Sequence, residues 1–368
     1  MLNLHDVVGP SLVLDESKAR ANIRFMAEVA KTHQLIFRPH FKTHQSAYVG
    51  NWFRDEGVTK ITVSNVEMAI YFAHQGWDDI TLAMPVNVRD LQRIKHLASL
   101  IQLNLVIEDI ETVYRLQREL SSPCAVFLKI DTGYGRAGIP WDDGNKIKTI
   151  IKQLICRKNT RFAGFLWHDG HTYKARNVAE IQSIRLQTLE RLRFLKSVAE
   201  EFGIQTLFSG GDTPSCSICD DFTGIDEIRP GNFVFYDCMQ QQLGSCTHEQ
   251  IAVALLCPVL SVYTDRKQVL VHAGAVHLSK ESLATSTTTL FGKVVALNPD
   301  ISWGKPIENT ALCSISQEHG IIAGPADWLN TLKPGDLLGI LPVHSCLTVA
   351  CMGGYTLTNG KQISMYCE

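Results

Sequence analysis

The sequence has no excess of charge of either sign. Its 35 lysine and arginine residues stand against 37 aspartate and glutamate residues, which gives a formal net charge of −2, and no long run of one sign occurs. Proteins that bind nucleic acid through its phosphates need a basic surface. The composition therefore argues against nucleic-acid binding.

Features of membrane and secreted proteins are also lacking. No apolar run reaches the ~20 residues that a membrane-spanning helix needs, and the N-terminal MLNLHDVVGPSLVLDES lacks the basic-then-apolar layout of a signal peptide. The eleven cysteines are an odd number and too widely spaced for a small disulfide scaffold. There is no internal repeat or low-complexity tract. We therefore expect a cytoplasmic protein whose thiols are reduced.

What the sequence does contain, between about residues 15 and 235, is an alternation of short apolar runs and longer amphipathic ones. This pattern is typical of alternating strands and helices. Eight runs are predicted as strands: LIFR (35–38), KITVS (60–64), ITLAM (80–84), LNLVI (103–107), AVFLKI (125–130), FAGFLW (162–167), TLFS (206–209) and EIRP (227–230). Eight such units predict an α/β fold, a (β/α)₈ barrel, with an open doubly wound sheet as the alternative.

The pattern of apolar and polar residues changes after residue 250. Runs such as IAVALLCPVLSVYT, QVLVHAGAVHLS and DLLGILPVHSC are separated by turn-rich segments and show no convincing helical periodicity. We therefore expect an all-β second domain in this part of the chain.

Polar segments follow several of the predicted strands, where barrel enzymes have their active sites. They are PHFKTH, DTGYGRAG, HDGHTY, GGDTPS and GNFVFYD. Glycine-rich turns after the last two strands of a barrel commonly bind phosphate through backbone N–H groups, although a glycine after a strand more often only makes a tight turn. The candidate phosphate-binding residues are Gly210, Gly211, Thr213, Gly231 and Asn232.

The segment FRPHFKTHQ, residues 37–45, is crowded with basic and imidazole side chains: Arg38, His40, Lys42 and His44. A nucleic-acid patch, a metal site, a surface loop and a reactive lysine are the competing interpretations. A lysine opposite a phosphate site points to pyridoxal phosphate, whose aldehyde forms an imine with a neutral amine. Positively charged neighbours favour that neutral form. His40 and His44 either tune the lysine or only pack beside it.

These segments, together with LPVHSC and in this order, resemble the fold-type III pyridoxal phosphate enzymes of the D-serine dehydratase and D-threonine aldolase group, relatives of alanine racemase. The resemblance covers nearly the whole chain. It implies a barrel of the alanine racemase type over residues 14–245 and a C-terminal all-β domain formed by residues 246–368 with residues 1–13. It also implies a homodimer in which each active site lies near the C-terminal domain of the partner.

The same resemblance assigns roles to individual residues. Lys42 is the Schiff-base lysine, Arg136 lies near the phenolic oxygen of the cofactor, and Tyr173 is the partner of the pyridine nitrogen. His168 lies beside the ring. The phosphate is bound by Gly211, Asp212, Thr213, Gly231 and Asn232, with Tyr236 close by. A carboxylate is unfavourable beside a phosphate, so we expect the Asp212 side chain to point away and only its N–H to bind.

The segment LPVHSC places His344 and Cys346 two residues apart, on the same face if the stretch is extended. Imidazole and thiolate together favour zinc, although a lone H-x-C is more often part of a core. Within the family it resembles the zinc pair of the D-serine dehydratases, whereas the D-threonine aldolases tend to have His-x-Asp there. Two weaker metal or redox candidates are expected to be buried structural residues: Cys216 with Cys219, and His272 with His277.

The function that follows from the resemblance is β-elimination on a D-3-hydroxyamino acid, such as D-serine or D-threo-3-hydroxyaspartate, giving a 2-oxo acid and ammonia. Lys42 removes the α-proton, and a divalent metal, expected to be zinc, helps the β-hydroxyl to leave. Four alternatives stay open: retro-aldol cleavage of the D-threonine aldolase type to glycine and an aldehyde, amino-acid racemisation, a non-catalytic pyridoxal phosphate carrier, and a cofactor-free zinc hydrolase. The sequence does not identify the substrate side chain.

Overall fold

The computed structural model describes residues 4–156, 158–284 and 289–366. The described helices are α1 (Glu16–Thr32), α2 (Ala47–Asp55), α3 (Val66–His74), α4 (Leu91–Ala98), α5 (Ile110–Glu119), α6 (Gly144–Ile155), α7 (Val178–Glu200), α8 (Thr213–Ile218), α9 (Cys238–Leu243), α10 (Ala275–Leu278), α11 (Ala326–Leu329) and α12 (Ser345–Met352). The described strands are β1 (Ser11–Leu14), β2 (Ile36–Phe37), β3 (Ile61–Val63), β4 (Asp79–Pro85), β5 (Gln102–Ile107), β6 (Cys124–Asp131), β7 (Ile139–Pro140), β8 (Thr160–Leu166), β9 (Leu207–Gly210), β10 (Glu227–Ile228), β11 (Val253–Tyr263), β12 (Gln268–His272), β13 (Leu283–Ala284), β14 (Thr289–Leu290), β15 (Gly292–Leu297), β16 (Trp303–Pro306), β17 (Ala311–Ile315), β18 (His319–Ala323), β19 (Leu337–Pro342), β20 (Gly354–Leu357) and β21 (Gln362–Ser364).

The chain divides into two compact units, with the divisions between Arg24 and Phe25 and between Gly231 and Asn232. We call the unit that begins at Phe25 the barrel unit and the other the β unit. The predicted domain bounds of 14–245 differ from these divisions and stay a prediction. The extreme ends of the predicted β domain, residues 1–3 and 367–368, lie outside the described residues.

The barrel unit is built on eight strands in the order β2-β10-β9-β8-β6-β5-β4-β3, each parallel to its neighbours. A parallel bridge from His40 to Thr62 brings the chain after β2 next to β3, where the Phe41 N–H donates to the Thr62 carbonyl at 2.9 Å. This bridge closes the ring. All eight predicted strands overlap one of these strands, so the barrel is confirmed and the open sheet is wrong.

The barrel strands are continuous apolar runs because helices cover the outside of a parallel barrel while side chains fill its interior. In β6, every position except Asp131 is buried. The helices begin at side-chain caps: Asn65 accepts a hydrogen bond from the Met68 N–H at 2.9 Å, and Asp109 accepts one from the Thr112 N–H at 2.8 Å. Such caps satisfy N–H groups that lack a partner within the helix.

Arg38 lies inside the barrel and not beside the reactive lysine. Its guanidinium is buried and pairs with Asp79 and with Glu227, each at 2.6 Å. Two carboxylates therefore balance its charge. The interpretation of Arg38 as a positive neighbour of Lys42 is wrong, because a side chain that follows β2 and enters the interior meets the acidic groups of other strands.

His44 is part of an aromatic cluster. Its ring lies 4.3 Å from that of Phe41, 5.4 Å from that of Phe53 and 6.1 Å from that of Phe72, measured between centroids. Burial lowers the pKa of His44 to about 3, although a hydrogen bond from the Ser46 backbone opposes this. The imidazole is therefore neutral at pH 7 and packs beside Lys42 as an apolar ring.

The buried His44 is expected to make folding stability depend on pH. The unfolded chain protonates this side chain near pH 6.5 and the folded chain only near pH 3, so the stabilisation is complete above pH 6.5 and is lost as the pH falls below it. The loss is about 1.4 kcal/mol per pH unit, or about 2 kcal/mol at pH 5. Denaturant unfolding of wild type and His44→Phe between pH 8 and pH 5 measures it. His44→Phe should flatten the acid side of the profile, while His96→Gln on the exposed face of α4 should leave it as it is.

The β unit contains a sheet of ten strands in the order β12-β18-β17-β15-β19-β11-β1-β20-β21, with β16 beside β15. The N-terminal strand β1 pairs antiparallel with β11 and parallel with β20, so the predicted C-terminal β domain with an N-terminal strand is confirmed. The expectation of no helices after residue 250 is wrong, since α10, α11 and α12 lie there. Helices of four to eight residues are too short for a 3.6-residue periodicity to show.

Within the described ranges, no helix combines the length and the apolar character needed to span a membrane.

Candidate active site

Lys42 lies at the C-terminal mouth of the barrel, within the turn at residues 41–44 that follows β2. Its side chain is exposed, although Phe41 and Thr43 on either side of it are buried. Its N–H donates to Nδ1 of His40 at 3.4 Å, and its carbonyl accepts from Nε2 of Gln45 at 3.0 Å. These two hydrogen bonds fix the backbone of Lys42, so the position from which its side chain extends into the barrel mouth is defined.

Two imidazoles lie near this amine. Burial first, and then the charge of Lys42, lowers the pKa of His40 and of His168 well below the ordinary value. Nδ1 of His168 lies 3.4 Å from the Gly211 carbonyl oxygen. Both rings are therefore neutral at pH 7, and the predicted place of His168 beside the cofactor ring stays a prediction.

Lys129 is a second lysine of the mouth, and sequence reasoning missed it. It lies on β6 and is 5% exposed. Burial, followed by the charges of Arg229 and Arg136, lowers its pKa to about 7, although Asp169 and Glu108 oppose the shift. A lysine inside the apolar run AVFLKI, at the start of KIDTGYGRAG, is the signal that was available.

Arg136 belongs to the same group of side chains. Its guanidinium lies 5.1 Å from the centroid of the Tyr134 ring. Its charge helps to lower the pKa of His168, after burial and the charges of Lys42 and Lys129. It also helps to lower the pKa of Lys129, after burial and the charge of Arg229. The structure thus brings Lys42, His168 and Arg136 together from three separate segments of the barrel.

The two glycine turns approach other parts of the barrel backbone closely. Gly211 has φ +110°, a conformation that other residues rarely adopt, and a Cβ at Gly231 would lie 2.9 Å from the His40 carbonyl oxygen. The Thr213 N–H donates to the hydroxyl of Tyr173 at 3.3 Å. The Tyr173 hydroxyl therefore lies beside the first glycine turn, and its predicted role at the pyridine nitrogen stays a prediction.

Asp212 caps helix α8. Its carboxylate accepts hydrogen bonds from the Ser215 N–H at 2.9 Å and from the Thr172 hydroxyl at 2.8 Å. Burial, followed by the charge of Asp169, raises its pKa to about 6, while Arg185 opposes the shift. The side chain is directed at the helix and at Thr172, as expected for a carboxylate that does not bind phosphate.

Cys216 and Cys219 are free, buried thiols. Burial raises the pKa of Cys216 to about 12 and raises that of Cys219 as well, although Arg185 opposes both shifts. Thiols with raised pKa values are poor nucleophiles and poor metal ligands. The expectation that this C-x-x-C is structural agrees with their surroundings.

In the β unit, His344 and Cys346 lie close together, but not in the way the sequence suggested. Strand β19 ends at Pro342, His344 precedes α12, and Cys346 lies in the first turn of that helix. The prediction of an extended stretch is wrong. Burial alone would lower the pKa of His344, yet Cys346 and then Asp237 outweigh burial and raise it to about 11. The imidazole nitrogen of His344 and the sulfur of Cys346 can both bind a cation, which then replaces the proton held between them.

Asp237 is a fully buried carboxylate that the sequence analysis left without a role. Its Oδ2 lies 3.2 Å from Nδ1 of His344 and accepts from the Ser345 N–H at 2.9 Å and from the side-chain amide of Asn232 at 2.7 Å. The same amide nitrogen of Asn232 lies 3.5 Å from the sulfur of Cys346. The Asn232 side chain, predicted at a phosphate, is thus directed at the His344 and Cys346 pair. The signal for Asp237 was its position at the end of GNFVFYD.

Tyr236 directly precedes this carboxylate. Its side chain is fully buried, and its backbone has φ +48°, which is uncommon for a residue other than glycine. Its N–H donates to the Asn232 carbonyl at 2.8 Å. The predicted place of Tyr236 near a phosphate stays a prediction.

A second group of metal-ligand side chains in the β unit consists of His272, His277 and Glu318. The two histidines are half-buried and not fully buried as expected, with Nε2 atoms 3.9 and 3.7 Å from one Glu318 oxygen. Nδ1 of His277 accepts from the Gly274 N–H at 3.1 Å. A neutral imidazole that accepts at Nδ1 carries its proton on Nε2, so that nitrogen has no lone pair for a cation. In this arrangement the His277 ring does not suit a metal site.

The mouth of the barrel fits a cofactor that carries an aldehyde and a phosphate. The exposed Lys42 amine is next to neutral imidazoles, the neighbouring Arg136 is suited to anionic groups, and Gly211 and Gly231 leave the two turns without side chains at those positions. The pair in the β unit fits a divalent cation, because the second ring nitrogen of His344 is bound to a carboxylate in the way that metal-ligating histidines usually are.

Comparison with known proteins agrees with this architecture. The profile of the family described as "Alanine racemase, N-terminal domain" matches residues 14–238, and a serine dehydratase domain profile matches residues 252–358. A D-serine dehydratase of Dictyostelium discoideum is 31% identical over 98% of this chain and 96% of its own length. More distant relatives include a 3-hydroxy-D-aspartate aldolase of Paracoccus denitrificans, at 23% identity over 97% of this chain and 90% of its own length.

Solved structures extend the likeness to three dimensions. The D-threo-3-hydroxyaspartate dehydratase of Delftia sp. HT23 superposes with a TM-score of 0.91 at 25% identity, covering 99% of both chains. A variant of D-threo-3-hydroxyaspartate dehydratase described as a metal-free form superposes with a TM-score of 0.92 at 24% identity, again over 99% of both chains. The architecture, the matching profiles and the full-length similarity lead to one conclusion. The chain belongs to the D-serine dehydratase family of pyridoxal phosphate-dependent enzymes with the alanine racemase fold.

Proposed function

We propose that this protein is a pyridoxal phosphate- and metal-dependent lyase that eliminates water from a D-3-hydroxyamino acid and releases a 2-oxo acid and ammonia. The observation that carries the proposal is the exposed Lys42 amine at the barrel mouth, next to neutral His40 and His168 and to the cationic Arg136. The relatives named D-serine dehydratase and D-threo-3-hydroxyaspartate dehydratase support the substrate class.

Lys42 has two tasks in this proposal. Its amine binds the cofactor, and once the substrate amine has taken its place, it removes the proton from Cα. Bound pyridoxal phosphate supplies a conjugated ring that accepts the negative charge left on Cα. The guanidinium of Arg136 suits the phenolic oxygen of the ring.

The phosphate would be held by backbone N–H groups of the glycine turns at Gly211, Thr213 and Gly231, with the Tyr173 hydroxyl beside the first turn. Asp212 contributes its position as the cap of α8 and not its carboxylate, which is occupied by Ser215 and Thr172. The remaining predicted contacts, from Asn232 and Tyr236, stay predictions.

His344 and Cys346 would hold the metal, and nitrogen with sulfur donors favour zinc. Such a cation supplies Lewis acidity to a hydroxyl oxygen and so helps it to leave. A thiolate and an imidazole provide only two protein ligands, which leaves coordination positions for a substrate. A homodimer, as the resemblance implies, is part of the proposal.

A substrate panel tests the reaction class. With D-serine, D-threonine and D-threo-3-hydroxyaspartate, the purified protein is expected to release equimolar 2-oxo acid and ammonia from at least one of them, because Lys42 removes the α-proton and the hydroxyl leaves. A coupled dehydrogenase assay for the oxo acid and an ammonia assay measure the two products. The corresponding L-amino acids are the control and should give neither product.

Other products would contradict the proposal. Glycine with an aldehyde identifies retro-aldol cleavage, the activity that the name of the Paracoccus relative describes. Conversion of D-alanine to L-alanine identifies a racemase. A cofactor absorption band that no D-hydroxyamino acid changes identifies a carrier.

A further inference from the structure

The Asp237 carboxylate connects two parts of the β unit. Its Oδ1 caps helix α9 by accepting from the Gln240 N–H at 2.9 Å. Its Oδ2 faces His344, Ser345 and Asn232, as described above. One oxygen is therefore anchored by a helix, and the other is directed at the predicted metal ligands.

The contact with His344 determines which ring nitrogen keeps its proton when the other binds a cation. A carboxylate oxygen 3.2 Å from Nδ1 is an acceptor, so Nδ1 carries the proton. Once Nε2 gives up its own proton, it has the free lone pair that a cation requires. The His344 side chain is 22% exposed while Asp237 is fully buried, so a cation from solvent can reach the imidazole but not the carboxylate.

The other hydrogen bonds of Oδ2 hold the second ligand in place. The Ser345 N–H lies between the two ligands in the sequence, so its bond to Asp237 fixes the first turn of α12. The Asn232 amide donates both to Asp237 and toward the Cys346 sulfur, where it suits a thiolate.

We propose that Asp237 is the positioning residue of the metal site: its buried carboxylate selects the His344 tautomer that offers Nε2 to the cation and fixes the turn that carries Cys346. The inference rests on the metal part of the proposed function. Asp237 does not itself coordinate the cation.

The first test measures metal affinity. Asp237→Asn is expected to raise the dissociation constant for zinc by about 10- to 100-fold, the usual effect of losing such a partner, measured by competition with a chromogenic chelator. Asp109→Asn is the matched control, since Asp109 also caps a helix through a backbone N–H, that of Thr112, and touches neither ligand. Its zinc affinity should equal that of the wild type.

The second test uses the wild-type chain, because Asp237→Asn also removes the cap of α9. The ¹⁵N chemical shifts of His344 in the zinc-loaded protein should show a protonated Nδ1 and a metal-bound Nε2. A metal-bound Nδ1, or an Asp237→Asn chain that binds zinc as tightly as the wild type, overturns the positioning role alone. A wild-type chain that binds no divalent cation overturns the metal part of the proposed function and this inference with it.

Discussion

Replacing Lys42 by alanine is expected to lower kcat/KM by more than ~10³-fold, because the chain loses both its covalent link to the cofactor and its base. The fold should be unaffected, since this side chain is exposed and the neighbouring Phe41 and Thr43 supply the buried contacts. Reduction of the holoenzyme with borohydride, followed by peptide mass analysis, should find the cofactor on Lys42 in the wild type and on no lysine in the variant.

Lys129 is a second lysine that could bind the cofactor, so the experiment must distinguish it from Lys42. It lies in the same barrel mouth, and its lowered pKa of about 7 makes its amine chemically competent as well. Lys129→Met should retain the cofactor on Lys42, whereas Lys42→Ala should not shift it to Lys129. The exposed Lys146→Ala on α6 is the matched control and should keep full activity. A Lys42→Ala protein that still turns over substrate, or that holds the cofactor on Lys129, would disprove the assignment.

His344→Ala and Cys346→Ala are each expected to lose bound metal and to lower the rate of elimination by about 10²-fold or more, because the Lewis acid that helps the hydroxyl to leave is worth several kcal/mol. Metal content by elemental analysis and oxo-acid release are the measurements. Incubation of the wild type with a chelator should reproduce the loss, and added zinc should restore the wild type but neither variant.

Cys351→Ala is the control for the cysteine variant, because Cys351 lies in the same helix, α12, and is exposed. It should keep both metal and activity. If Cys346→Ala loses no metal, or if a metal-depleted wild type is fully active, the assignment of this pair fails while the role of Lys42 is untouched.

Local signals were sufficient for the strands and for the position of Lys42. A parallel barrel buries its strands on both faces, so each strand leaves an uninterrupted apolar run, and chemical groups gather where these runs end. The three short helices α10, α11 and α12 after residue 250 escaped notice for the opposite reason. Too few residues lie in each for a period to repeat, and α12 changed the geometry of the His344 and Cys346 pair.

The crowded segment FRPHFKTHQ shows the limit of local inference. Its side chains look like one charged group in the sequence, yet Arg38 enters the barrel interior and His44 packs among aromatic rings. The positive charges that lower the pKa of the neighbouring His168 are those of Lys42, Lys129 and Arg136, and two of these three lie outside the segment. The turn at residues 41–44 interrupts the extended chain, so side chains close in sequence reach different surroundings.

The succession of strands along the chain could be inferred from the sequence because it depends on residue type and local spacing, while the resemblance to a known family singled out Lys42, His344 and Cys346. The partners of those residues depend on contacts across large separations in the chain, such as the 107 residues between Asp237 and His344. Hydrogen bonds and charge interactions of this kind have no counterpart in composition or periodicity. Only the tertiary structure decided which groups surround Lys42, and which carboxylate orients His344.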